Sequence, residues 1–355
     1  MERTSLSSHA MFCLLTLFCV GNASVLSSLP LRDGWAAFLL GALLFLPLLF
    51  CLFSLTKNCS SLQDVFAPLP AFLKGFFRLF LGLAALGSSV LSLRITLCFL
   101  AESSLPATQP SLIAFFLLST MLLFQRSGLH AMGRAAQMVF PVIFSILVVS
   151  LVISVPQFDL THLLPLFQSP QKLARPSVSL LFFPYCELIY PMLLFFPLTL
   201  RQPRKQAVGA VLFAAGMLSL IFAKNLVVLG LPALKSYYFP SYAVAGLVSL
   251  GNFFQRFEVF VLSFYLLSRF SKTTITFAFT SQALAPLLHL SPEKVSLLQL
   301  PLLFALPLFI FPSSASLFAF LDRFPLTYGW IAPLGLAVMW AICLSLKKRA
   351  QKKND

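Results

Sequence analysis

The sequence predicts an all-α membrane protein of roughly ten transmembrane helices, folded as one domain. Three observations predict it. Of 355 residues, 59% are hydrophobic and only 10% charged, too few charges to cover a water-facing surface. The 40 phenylalanines exceed what a soluble core of this size requires, and mean hydropathy is +0.93. Apolar windows of spanning length, bounded by Pro, Gly, Asn and charged residues, follow one another along the whole chain with short connections.

The first window, Leu6–Leu29, follows Arg3 and runs past Gly21-Asn22-Ala23-Ser24 to spanning length, so it reads as a helix rather than a cleaved signal. Trp35–Leu55 carries no charge, Phe76–Ala101 carries Arg94, Ser111–Phe124 opens after Pro110, and Ala135–Val155 lies between Arg134 and Pro156. A polar stretch with Asp159, His162, Pro165 and Pro170 separates these from Val178–Leu200 and Ala207–Leu231. Four apolar stretches remain: Phe253–Phe270, Ile275–Leu290, Leu297–Phe311 and Tyr328–Leu346.

Charge decides how they are counted. With ten spans and the N-terminus inside, cytoplasmic segments hold 17 basic residues, including Lys57, Lys74, Arg126, Arg204, Arg269, Lys272, Lys294 and the tail Lys347 to Lys353. External segments hold five: Arg32, Lys172, Arg175, Lys235 and Arg323. Eleven spans put the tail cluster outside, against the positive-inside rule. Phe253–Leu290 therefore reads as one long eighth helix, or a span plus an interfacial segment, with both termini cytoplasmic. The net charge of +15 belongs to loops and anionic headgroups, not to nucleic acid.

Ten spans divide into five and five about the Pro-rich external segment. This gives repeat one over about residues 6–155, a connector at 156–176, repeat two over about 177–346 and a basic tail at 347–355. An odd number of spans per half inverts the second half, the arithmetic of an inverted-repeat secondary transporter. The binding site of that architecture lies at mid-membrane, where the first helix of each repeat is interrupted. Gly21, Asn22, Ala23 and Ser24 interrupt the first helix; Pro184 and Pro191 flank Tyr185, Glu187 and Tyr190 in the sixth. A tight helix crossing and an ordinary proline kink are the structural alternatives.

Glu187 is the most informative residue, because a carboxylate at mid-membrane faces a cavity or a partner. Ser88, Ser92 and Ser263 fall at similar depth, as ligand contacts or interhelical hydrogen bonds. Arg94, Glu102, Lys224, Arg256 and Glu258 lie towards the outside and form a candidate gate or ion network, with snorkelling as the alternative for Glu102 and Arg256. The seven cysteines lack metal-site or redox spacing, the four histidines are dispersed, and no phosphate loop, H-E-x-x-H or triad occurs. No enzyme activity, metal or cofactor is expected.

Several segments together carry a resemblance. Val20-Gly21-Asn22-Ala23 with Leu29-Pro30, Arg94, Glu102, Leu105-Pro106-Ala107-Thr108-Gln109-Pro110, Gly128-Leu129-His130-Ala131-Met132-Gly133-Arg134, Leu164-Pro165, Glu187, and Arg256-Phe257-Glu258 with Arg269-Phe270-Ser271-Lys272 occur in one order. In that order they resemble the endospore germination permease family, the B subunit of nutrient germinant receptors, within the amino acid/polyamine/organocation superfamily. The resemblance implies a LeuT-type fold with broken helices 1 and 6. It also implies residence in a spore inner membrane, companion A and C subunits, and a small nutrient ligand, typically an amino acid. A proton- or sodium-coupled amino acid transporter and an assembly scaffold with a vestigial pocket are the competing expectations. High phenylalanine content and a short segment before span six depart from the family pattern and leave the fold expectation intact.

Overall fold

The computed structural model describes residues 6–23, 32–57, 59–165, 170–198, 203–247, 257–327 and 329–351. These are almost entirely helical. The first half comprises α1 (Ser8–Val20), α2 (Gly34–Thr56), a short α3 (Leu62–Phe66), α4 (Ala71–Ser103), α5 (Pro110–Arg126) and α6 (Leu129–Ser154). In the second half, α7 (Pro170–Leu180) passes through irregular turns at 181–188 into α8 (Ile189–Phe195). There follow α9 (Pro203–Ser236), α10 (Pro240–Leu247), α11 (Glu258–Leu288), α12 (Pro292–Ile310), α13 (Ser314–Thr327) and α14 (Ile331–Gln351).

Local chemistry sets many of the ends. Ser7 caps α1 by accepting from the Ala10 amide at 3.1 Å. Pro110 and Pro292 sit in the first turns of α5 and α12, where a missing amide hydrogen costs nothing. Gly128 turns the chain into α6 at φ 86°, a conformation that favours glycine.

Among the described residues, six helices are long and apolar enough to cross a membrane: Gly34–Thr56, Ala71–Ser103, Leu129–Gln157, Lys172–Leu198, Arg204–Ser236 and Pro292–Ile310. Ser8–Val20, Pro110–Arg126 and Ile331–Leu346 are shorter apolar helices. The α11 helix is 31 residues long but more polar, and it runs unbroken where an interfacial segment was the alternative.

That polarity faces inward. Ser268, Arg269, Lys272, Thr273, Thr276 and Thr280 are all buried, chiefly against α4. This corrects the assignment of Arg269 and Lys272 to a cytoplasmic loop. Both lie in the core, so neither counts towards the expected cytoplasmic excess, which rests on the other basic residues. Ser89 donates to Thr276 at 2.8 Å, and Ser92 and Thr273 hydroxyls are 2.8 Å apart, so α4 and α11 are joined by hydroxyl pairs as well as by packing.

Small residues bring other helices together. Ala207, Ala210 and Ala214 of α9 are fully buried where α9 passes α1 and α2. The phenylalanines serve two surfaces. Phe18, Phe45, Phe195 and Phe279 are fully enclosed, whereas Phe72 and Phe309 are 82% and 85% exposed on the outside of the bundle, as lipid-facing side chains are.

The connector after α6 is tied to α9. Asp159 accepts from the Thr161 amide and hydroxyl at 2.9 and 2.6 Å, which holds its carboxyl below the usual range. His162 Nδ1 lies 2.9 Å from the Val227 carbonyl, and its ring sits against Gly230, which bends α9 at φ 70°. Gly230→Ala is expected to cost about 1–2 kcal/mol, because the left-handed conformation is strained for any L side chain. A lowered midpoint in detergent thermal unfolding checks this.

Candidate functional site

Two helices lose their hydrogen-bond ladders at the same place in the bundle. The first, α1, stops at Val20, and Gly21–Ala23 form a turn with the Gly21 and Asn22 amides bonded to Leu17 and Cys19 carbonyls. In the sixth predicted span, Pro184 supplies no amide hydrogen, and Phe183 adopts extended angles (φ −147°, ψ 106°) between α7 and α8. The interruption therefore leaves Glu187 on a short 3-10 turn rather than on a regular helix.

Glu187 is 7% exposed, and both of its oxygens are engaged. Oε1 accepts from the Ser88 hydroxyl of α4 at 2.5 Å. Oε2 accepts from Lys272 Nζ of α11 at 2.5 Å and from Asn22 Nδ2 at 3.2 Å. Lys272 also donates to Asn22 Oδ1, which closes a three-residue ring. Its ammonium lies 4.9 Å from the Phe183 ring centroid and 5.9 Å from that of Phe18, within cation–π reach of both. Lys272 is 1% exposed, so this is a buried ion pair, and with Asn22 and Ser88 the cluster draws on four separate elements.

Gly21 makes the approach of α1 to α11 possible. A Cβ there stands 2.9 Å from the Ser268 carbonyl oxygen and 3.2 Å from Lys272 Cβ. One turn along, Arg269 is 2% exposed with Nη1 3.5 Å from Ser92 Oγ. Beside Glu187 lies a cavity of about 440 Å³. Ser88, Cys186, Glu187 and Tyr190 are its polar lining residues, and the rest, Leu306 and Phe320 among them, is apolar. Among the described residues, Glu187 is its one charged lining residue.

The other expected contacts divide. Asn22, Ser88 and Glu187 meet directly, while Gly21 and Ala23 are buried at the same break. Tyr190 lines the cavity and packs on Phe279 at 5.3 Å between centroids. Ser92 belongs to the α4–α11 hydroxyl pairs rather than to Glu187. Tyr185 turns away, its hydroxyl donating to the Phe38 carbonyl at 2.8 Å. Ser263 donates to its own helix at Val259, on a half-buried face apart from Arg269 and Lys272. Ser24 and Arg256 lie outside the described residues.

Of the expected outer ion network, Lys224 donates to Ser150 Oγ at 2.8 Å, Glu102 is exposed near the end of α4, and Glu258 is half-buried in the first turn of α11. Arg94 is buried with its Nε unpaired. Sequence reasoning missed Lys272, Arg269, Thr273 and Thr276. Their signal was present as polar residues recurring every three or four positions through 268–280, the period of one helix face.

Comparison with known proteins gives the family and the fold. A family model described as spore germination protein matches residues 5–316. No curated protein sequence matches the chain. Among solved structures, a Na+-coupled sialic acid symporter in a substrate-bound outward-open state is similar at TM-score 0.59 and 11% identity, covering 97% of this chain and 93% of that one. A manganese transporter from Eremococcus coleocola, in complex with an aromatic bis-isothiourea substituted compound, is similar at TM-score 0.53 and 15% identity, covering 96% and 77%. At such identities the likeness concerns the fold, which is that of LeuT-type transporters.

Proposed function

Because the chain belongs to the spore germination protein family whose model spans most of its length, we propose that it is the membrane subunit of a spore nutrient germinant receptor, binding an amino acid in a transporter-like pocket. The observation that carries the reading is Glu187, a buried carboxylate at a broken helix, next to the turn that ends α1 and a cavity. The nutrient's carboxylate lies near backbone amides after α1, and its ammonium approaches Glu187. That carboxylate is already held by Lys272, so binding exchanges one cation for another and releases α11 from α1 and the split helix. The exchange shifts a conformational equilibrium by the difference in ligand affinity between its two states. Companion A and C subunits read the shift in the spore inner membrane. Ten spans with both termini in the cytoplasm complete the arrangement.

The second reading is a proton- or sodium-coupled amino acid transporter, favoured by similarity to a structure that is itself a Na+-coupled symporter. Purified protein in liposomes separates the two. Binding and gradient-driven uptake of an amino acid panel are measured together for wild type and Glu187→Gln, with thermal unfolding to control for folding. Saturable binding without accumulation, weakened at least about tenfold in the variant (about 1.4 kcal/mol), is the expected result. Accumulation driven by a proton or sodium gradient overturns the sensor reading in favour of the transporter. Absence of binding by folded wild-type protein leaves a scaffold.

A further inference from the structure

The buried charges do not balance. Among the described residues, Arg94, Lys224, Arg269 and Lys272 are buried cations, whereas Asp33 and Glu187 are the buried acids. Glu187 is held by Lys272. Lys224 stands apart from that pair, 4% exposed, and spends one of its three donors on Ser150. It borders a small space between α6, α9, α10 and α11, of about 20 Å³, which is room for a single water-sized body. Ser150, Ser241 and Tyr265 add their hydroxyls to the lining, and Ile146, Leu147, Ile221, Val261 and Phe264 make up the apolar remainder.

Among the described residues no acid lines this space; Glu258, one turn before Val261, lies outside it. Asn225 Nδ2 donates to Ser241 Oγ at 2.7 Å, and Ser241 and Tyr265 hydrogen-bond to each other, which leaves the pair one hydroxyl hydrogen to donate elsewhere. With Ser150, the space therefore offers one ammonium and up to two hydroxyl donors, and no negative charge from its lining. A buried ammonium without a counter-charge is costly, and a bound anion removes that cost while using the remaining donors.

We propose that Lys224, Ser150, Ser241 and Tyr265 form a site for one small monovalent anion of the chloride class, separate from the Glu187 cavity. A space of about 20 Å³ holds one ion of this size. The anion compensates the positive surplus where α6, α9 and α11 meet, and so stabilises their packing. It needs no nutrient and no partner subunit.

The test uses purified full-length protein in detergent at constant ionic strength. Wild type is expected to bind 36Cl⁻ saturably and to unfold about 3 °C or more higher in sodium chloride than in sodium gluconate, since a ligand of the folded state raises Tm. Lys224→Met is expected to lose both responses. Ser150→Ala, a milder change, is expected to weaken 36Cl⁻ binding while keeping the fold. Equal Tm in the two salts together with no 36Cl⁻ binding by wild type overturns the proposal and makes Lys224 an ordinary neutral amine. Chloride binding that survives unchanged in folded Lys224→Met overturns the assignment of the site.

Discussion

Lys272→Met is expected to destabilise the protein by about 3–5 kcal/mol, the usual result of removing one partner from a buried ion pair. The geometry explains the size. Without the ammonium, Glu187 keeps only the Ser88 hydroxyl and a 3.2 Å bond from Asn22, and Asn22 Oδ1 loses its donor. Methionine fills the space beside Phe18 and Phe183, so lost packing is a minor part of the effect. The double variant Glu187→Gln/Lys272→Met separates charge from shape. It removes both charges and keeps an amide to bond Ser88 and Asn22, so most of the stability is expected to return. Thermal or denaturant unfolding in detergent reads both. A Lys272→Met protein as stable as wild type rules out a charged pair in the folded state.

Gly21→Leu is expected to be nearly as damaging, for a steric reason. Even a Cβ at this position stands 2.9 Å from a backbone oxygen of α11, and backbone cannot rotate aside as a side chain does. The helices must separate, at the upper end of the about 1–3 kcal/mol typical of overpacking. Separation also pulls Asn22 from Lys272 and Glu187, so nutrient binding is expected to fall at least about tenfold even in folded protein (about 1.4 kcal/mol). Gly21→Ala is the graded control, with a smaller loss of both. Full binding by Gly21→Leu places the α1–α11 contact outside the site.

Most of the fold was legible because membrane helices announce themselves by composition, and their interruptions by Gly-Asn and Pro. Gly21, Asn22 and Pro184 have few roles inside an apolar run, and Glu187 has fewer. Lys272 was illegible for a specific reason. Basic residues near the end of an apolar run are assigned to the cytoplasmic side, and the hydroxyl-rich stretch after Phe270 lowers local hydropathy enough to resemble a boundary. Only the facing helix, with Ser88, Ser89 and Ser92 at matching heights, shows that this polarity is internal. Tyr185 and Ser263 failed differently. Depth alone was legible for them, and direction is set by the irregular backbone after Phe183 in one case and by helix phase in the other.

The ring around Glu187 also has an order in time. Asn22 and Ser88 are made before the carboxylate, but Lys272 follows it by 85 residues. At about 5–20 residues per second, ribosomes leave the acid without its cation for roughly 4–17 s. During that interval the carboxylate sits in the sixth predicted span without its cation, and a proton or a polar path compensates it until α11 emerges. The link between the sixth predicted span and the eighth is therefore completed only late in synthesis.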